Sequence, residues 1–149
     1  MIRVAGHPDI RHMARIHAAS FERPWSVAEI QKLMEQPGVK GFVYDAAGSW
    51  AAFGLLRMVE DEAEILTIAT DPAYRGKGIA TQLLHFIIHY AERESIARLF
   101  LEVAEDNLAA RTLYDQNGFA PFATRKGYYT RWHGRAVDAI CMEKTLGKT

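Results

Sequence analysis

Glu102 is the one charged residue inside the apolar stretch LFLEV. A carboxylate sheltered from water costs free energy unless paired or neutralised, and burial lifts its pKa towards the range of a general base. The same residue on a solvated strand edge would be chemically idle. Twelve positions on, Tyr114 in RTLYDQ is an aromatic at helical spacing, the position of a core residue. Asn107 stands just before LAARTLYDQ, where its side chain suits a helix N-cap.

A second constellation is RGKGIA, from Arg75 to Ala80, placed between ATDPAY and the apolar run TQLLHFIIHYAE. A glycine turn feeding a helix gathers unpaired backbone N–H groups at the positive end of the helix dipole, which suits an anion such as pyrophosphate. Arg75 and Lys77 add charge. The alternative is a plain flexible turn. Two common phosphate motifs are missing: G-x-x-x-x-G-K-[ST], and G-x-G-x-x-G with an acidic residue about twenty positions on. The terminal LGKT lacks the upstream glycine and a following helix. His85 and His89 lie four apart, yet no carboxylate completes a hydrolytic metal set around them, so no metal is expected. The acidic EDE at 60–62 reads as a solvated turn.

These groups need elements to hold them. Ile2 to Ala5 reads as a strand, followed by a helix opening near Pro8 and Asp9 with Ile10, Met13, Ala14 and His17 on one face. Ser26 and Glu29 have the spacing of a capping box, and Trp25 and Ile30 that of a hydrophobic staple, so a second helix starts at Ser26. GFVYDAAGSWAAFGLLRMV reads as two strands around a turn at Ala46 to Ser49, and EDEAEILTIATD as a third, stopped at Asp71-Pro72. Ile79, Leu83, Phe86, Ile87 and Tyr90 repeat at helical spacing over about four turns. ARLFLEVA is strand-like, NLAARTLYDQ helical with an Asn117-Gly118 stop and Phe119 folding back, and APFATRKGYY and AVDAICMEKTL close the chain as strands. The order indicates an α/β or α+β sheet with helices covering it.

The 149 residues are 49% hydrophobic and 24% charged, with 18 basic against 18 acidic side chains. That is one domain with a real core, expected over 1–149, and a balance that argues against a nucleic-acid binder. Cys141 is the only cysteine, expected as a buried thiol in a reducing compartment. No run approaches a membrane span or a signal peptide, so a cytoplasmic location is expected.

Arg75, Gly78 and Ala80 fit the pattern R/Q-x-x-G-x-G/A at a strand-to-helix junction, and LFLEVAEDNLAARTLYDQNGF follows with L-E-V, N, A, L-Y and G-F in order. On these motifs the chain resembles the GNAT superfamily of N-acetyltransferases. PWS, IATDPAYRGKGIA, LEV, N-x-x-A-x-x-L-Y and RKGYY make it similar, more narrowly, to the bacterial ribosomal-protein alanine N-acetyltransferases of the RimI type. The resemblance runs from about Phe21 to the last strand. It implies a mixed, mostly antiparallel twisted sheet of six or seven strands, splayed between the strand ending at Thr70 and the strand Leu99 to Val103, with about four helices.

The resemblance also implies roles. Acetyl-CoA would be held by Arg75, Gly76, Lys77, Gly78, Ile79, Ala80 and Thr81 at its pyrophosphate. Ile68, Ala69 and Thr70 would pair with its pantetheine arm like an added strand, and Asn107 would contact it. Glu102 would act as general base, through water, and Tyr114 would protonate the departing thiolate. Trp25, Tyr128 and Tyr129 would border the acceptor groove. At pH 7 roughly 10% of α-amino groups are neutral against about 0.04% of lysines, which favours an α-amine acceptor. The implied acceptor is the N-terminal alanine of a small-subunit ribosomal protein, the enzyme a monomer or weak oligomer without nucleic-acid or membrane partners. A small-molecule amine as acceptor and a non-catalytic acyl-CoA-binding module are the alternatives. Glu105-Asp106 and TRWHGRAVDA depart from the family pattern in regions where the acceptor is chosen.

Overall fold

The computed structural model describes residues 1–147. Lys148 and Thr149, the end of LGKT and of the expected 1–149 domain, lie outside the described residues. In chain order come β1 (Ile2–Val4), α1 (Ile10–Ser20), α2 (Val27–Glu35), β2 (Val39–Ala46), β3 (Ser49–Val59), β4 (Glu62–Thr70), α3 (Ile79–Arg93), β5 (Arg98–Ala104), α4 (Leu108–Gln116), β6 (Ala120–Thr130) and β7 (Ala136–Thr145).

Local chemistry sets the helix ends. Ser26 Oγ accepts from Glu29 N–H at 3.1 Å while Glu29 accepts from Ser26 N–H at 3.0 Å, the reciprocal cap expected for α2; such a cap contributes about 1 kcal/mol. Ile30 is buried, and Trp25 packs at the edge of the same cluster. α4 ends at Gly118, whose φ of 86° needs a residue without Cβ, and Phe119 folds back to donate its N–H to Tyr114 O at 3.0 Å. In α3 the buried stripe is centred on Leu83, Ile87 and Ala91, with Leu84 joining it. Phe86, expected inside, falls at the stripe's margin and meets Phe42 edge-on at 5.8 Å.

The seven strands form one sheet in the order β1-β2-β3-β4-β5-β7-β6. Every neighbouring pair is antiparallel except β4 and β5. That parallel pair, the crossover made by α3, is joined only from Glu62–Ile65 to Arg98–Leu101. Beyond it the strands part, giving the splay the resemblance implies. A bulge helps them part. Ile65 faces Leu56 but Thr67 faces Leu55, so Leu66 is an extra residue on β4. One face of the sheet packs against α3 and α4 through Leu56, Ile65, Leu83, Ile87, Leu101 and Phe119. The other packs against α1 and α2 through Ile16, Ile30, Phe53, Leu55 and Ala69. The mixed, mostly antiparallel sheet with four helices is the fold class expected. Among the described residues no helix is long and apolar enough to cross a membrane.

Candidate active site

Where β4 and β5 separate, a cleft of about 640 Å³ opens, lined by Trp25, Ile68, Glu102, Asn107, Tyr114, Tyr128 and Tyr129 among others. Residues scattered from 25 to 129 therefore meet at one place. Ala69 and Thr70 and the turn from Arg75 to Thr81 lie outside this cleft, on the continuation of β4 and at the start of α3.

Glu102 alternates along β5 with the buried Leu101 and Val103, so it points to the α1/α2 side of the sheet. It is less sheltered than the apolar run suggests, with its side chain 23% exposed. Its carboxylate meets Arg125 Nε at 3.0 Å and accepts from Cys141 Sγ at 3.7 Å. Cys141 is its direct cross-strand partner on β7, and burial first, then the adjacent carboxylate, pushes the thiol's pKa up. A part-exposed ion pair such as Arg125–Glu102 contributes little stability but fixes where the carboxylate points.

Tyr114 comes from α4, on the opposite side of the sheet, and is 7% exposed. Its ring meets Phe119 edge-on at 5.7 Å, and its hydroxyl makes no hydrogen bond to any described residue. Burial pushes the phenol up to about 12, so it keeps its proton at any physiological pH. A carboxylate and a protonated phenol thus reach the gap from its two faces. Asn107 Oδ1 accepts from Ala110 N–H at 3.2 Å, the N-cap role open to it from the sequence, while its residue still borders the cleft.

The glycine turn is open. Gly76 and Gly78 both have φ of 76°, Gly78 at the N-terminus of α3, and a Cβ built on either meets no atom within 4 Å. Among the described residues no side chain caps the first N–H groups of α3. Ala80 and Thr81 are half-buried in its first turn, and Ile79 is in the core. This turn has the shape and polarity an incoming anion needs. Arg75 is turned inward, donating to Thr70 O at 3.3 Å and Ser20 Oγ at 3.2 Å, so it braces the turn against β4 and α1. Lys77 is exposed, its Nζ 5.6 Å from the Tyr74 ring centre.

Four residues of the cleft region escape sequence reading. His17, seen from the sequence only as part of a helix face, is buried; its ring stacks on Trp25 at 4.6 Å and Nδ1 accepts from Trp25 N–H at 3.0 Å. Burial lowers its pKa to about 4, so it is a neutral acceptor. Arg125 and Arg131 come from the cation-rich end of β6 and the turn after it. Arg131 pairs with Asp106 and, at 3.4 Å, with Glu22, tying the β6–β7 turn to the β5–α4 and α1–α2 loops. Thr67 lies on the bulged strand. Only the richness of 130–139 in cations and aromatics signalled any of this. His85 and His89 are exposed, and among the described residues no three His, Cys, Asp or Glu side chains gather as a metal site.

Comparison with known proteins identifies the family and the fold. The family model for acetyltransferases of the GNAT family matches residues 10–119. The ribosomal protein bS18-alanine N-acetyltransferase of Haemophilus ducreyi is 31% identical over 144 residues, 95% of this chain and 97% of that protein. The protein of that name from Escherichia coli K12 is 41% identical over 95 residues, 64% of each chain. The crystal structure of the ribosomal-protein-S18-alanine N-acetyltransferase from Escherichia coli superposes with a TM-score of 0.94 at 30% identity, covering 100% of this chain and 95% of that one. With its splayed sheet, its glycine turn at α3 and a motif match spanning both, the chain belongs to the GNAT family of acetyltransferases.

Proposed function

We propose that this protein transfers acetyl from acetyl-CoA directly to the α-amine of a protein N-terminus, the N-terminal alanine of ribosomal protein bS18 being the acceptor. The observation that carries the reading is the meeting of Glu102 and Tyr114 in one cleft at the splay, next to the open glycine turn. Relatives that match the chain nearly end to end carry that substrate in their names. The whole chain works as one acetyltransferase domain in the cytoplasm, where its acceptor is made.

Acetyl-CoA binds with its pyrophosphate on the N–H groups of Gly76, Gly78 and the first turn of α3, with Lys77 adding charge. Arg75 keeps that turn in place. The edge of β4 at Ile68, Ala69 and Thr70, unpaired with β5, takes the pantetheine arm as an added strand. The acceptor enters between Trp25 and the tyrosines, Tyr128 and Tyr129. Glu102, aimed by Arg125, takes a proton from the amine, so that nitrogen attacks the thioester carbon. Tyr114, which holds its proton until that point, gives it to the sulfur as the C–S bond breaks.

The test is incubation of the purified protein with acetyl-CoA and two peptides, one with a free N-terminal alanine and one blocked there but containing lysine. Acetyl on the α-amine of the first and none on the second is expected. Equal acetylation of the lysine, or of small amines, overturns the proposed acceptor.

A further inference from the structure

Thr67 is 8% exposed, and its Oγ1 is, among the described residues, the one fully enclosed side-chain polar atom without a hydrogen-bond partner. An unpaired buried hydroxyl is a standing cost that valine, nearly the same shape, would not carry. Such an atom points to a partner that arrives from outside the chain. Thr67 lines the cleft, so the partner would be what the cleft takes up.

The bulge decides where the hydroxyl is aimed. Without an extra residue at Leu66, simple alternation from Ile65 would put Thr67 on the α3 side of the sheet. With it, Thr67 lies opposite Leu55, on the α1/α2 side. Glu102 is on that same side across the gap, whereas Tyr114 reaches the gap from the other. The two flanks of the splay thus offer one hydroxyl and one carboxylate to a group entering from the α1/α2 face. The thioester sulfur would lie towards Tyr114.

We infer that Thr67 is a positioning residue for the acceptor amine, an inference that rests on the acetyl transfer proposed above. A neutral primary amine has two N–H bonds and one lone pair. Thr67 Oγ1 accepts from one N–H, the second N–H faces Glu102, and the lone pair is left directed at the thioester carbon. In the step that follows, the N–C bond forms and the C–S bond breaks. The amine gives up one proton towards Glu102, and the thiolate takes one from Tyr114. Thr67 keeps its own proton throughout. A secondary amine has a single N–H and cannot satisfy Thr67 and Glu102 together, so the site takes primary amines.

The experiment compares wild type, Thr67→Val and Thr67→Ser, with urea unfolding and with kinetics in which acceptor peptide and acetyl-CoA are varied separately. Thr67→Val is expected to be at least as stable as wild type, with KM for acetyl-CoA unchanged. Its kcat/KM for the acceptor should fall about tenfold, the effect of one lost hydrogen bond to the substrate. Thr67→Ser should return to within about threefold of wild type. Unchanged acceptor kinetics in Thr67→Val would overturn the inference alone, and would mean that the hydroxyl holds only water. A Thr67→Val protein that is destabilised and loses activity towards both substrates alike would also overturn it, by showing a structural role. A wild type that acetylates no amine overturns the underlying reading and this inference with it.

Discussion

Replacing Gly78 with valine separates a backbone cradle from a charge patch. Gly78 has φ of 76° at the N-terminus of α3, and a Cβ there meets nothing within 4 Å. The cost of a side chain is therefore torsional, not a clash. Holding an L-residue in the left-handed region takes roughly 1–2 kcal/mol, and a β-branched one lies at the upper end. If the bound state requires this turn shape, that cost appears as a loss of about 5–30-fold in acetyl-CoA affinity, because fewer molecules hold the competent conformation. Lys77→Ala removes only a solvent-exposed charge, expected to cost a few-fold and to fade as salt rises. Calorimetric titration with acetyl-CoA at low and high salt reads both. The Gly78→Val loss should be the larger and should persist at high salt. Wild-type affinity in Gly78→Val, or a Lys77→Ala loss that exceeds it and survives salt, would refute the backbone-cradle account.

Other outcomes follow from the same geometry. Glu102→Gln and Tyr114→Phe should each lower kcat by about 10²–10⁴ while leaving acetyl-CoA affinity within a few-fold, read by steady-state kinetics and titration. With its phenol at about 12, Tyr114 does not set any alkaline limb of the rate profile below pH 10, so such a limb should keep its position in Tyr114→Phe. His17, with a folded pKa of about 4 against 6.5 when free, takes up its proton more readily unfolded. Its contribution to stability is thus complete above pH 6.5 and drains away as pH falls towards 4, by at most about 3 kcal/mol. Urea unfolding between pH 7 and 4 should show that loss, and His17→Asn, which keeps an acceptor for Trp25 N–H, should lack it. Arg131→Ala should raise KM for the acceptor peptide several-fold with KM for acetyl-CoA unchanged, since it frees the β6–β7 turn from Asp106 and Glu22. An equal rise in both would show that Arg131 serves the fold and not the acceptor groove.

Local rules carried much of the fold. The Ser26–Glu29 cap, the Gly118 stop and the end of the EILTIAT strand at Asp71-Pro72 depend on neighbours a few positions apart, and each is readable in the chain. The insertion of β7 between β5 and β6 is not, because strand order is settled by long-range packing. The same holds for the cleft. Glu102, Asn107 and Tyr114 stand out by type and order, whereas the Arg125–Glu102 pair needs β6 and β7 folded back against β5. The bulge at Leu66 leaves no trace in EILTIAT, so the side towards which Thr67 points emerges only once β3 pairs with β4. His17 looked like one more apolar-face residue until Trp25 came down on it.

The central claim is that acetyl passes from acetyl-CoA to one α-amine in the cleft between β4 and β5. The most direct measurement offers purified bS18 with its N-terminal alanine free to wild type and to Glu102→Gln, followed by mass spectrometry of the proteolytic fragments. The account predicts one acetyl group on the N-terminal fragment with wild type, none on internal lysines, and a rate at least a hundredfold lower with Glu102→Gln. Acetyl on internal lysines, or equal rates for the two enzymes, would contradict it.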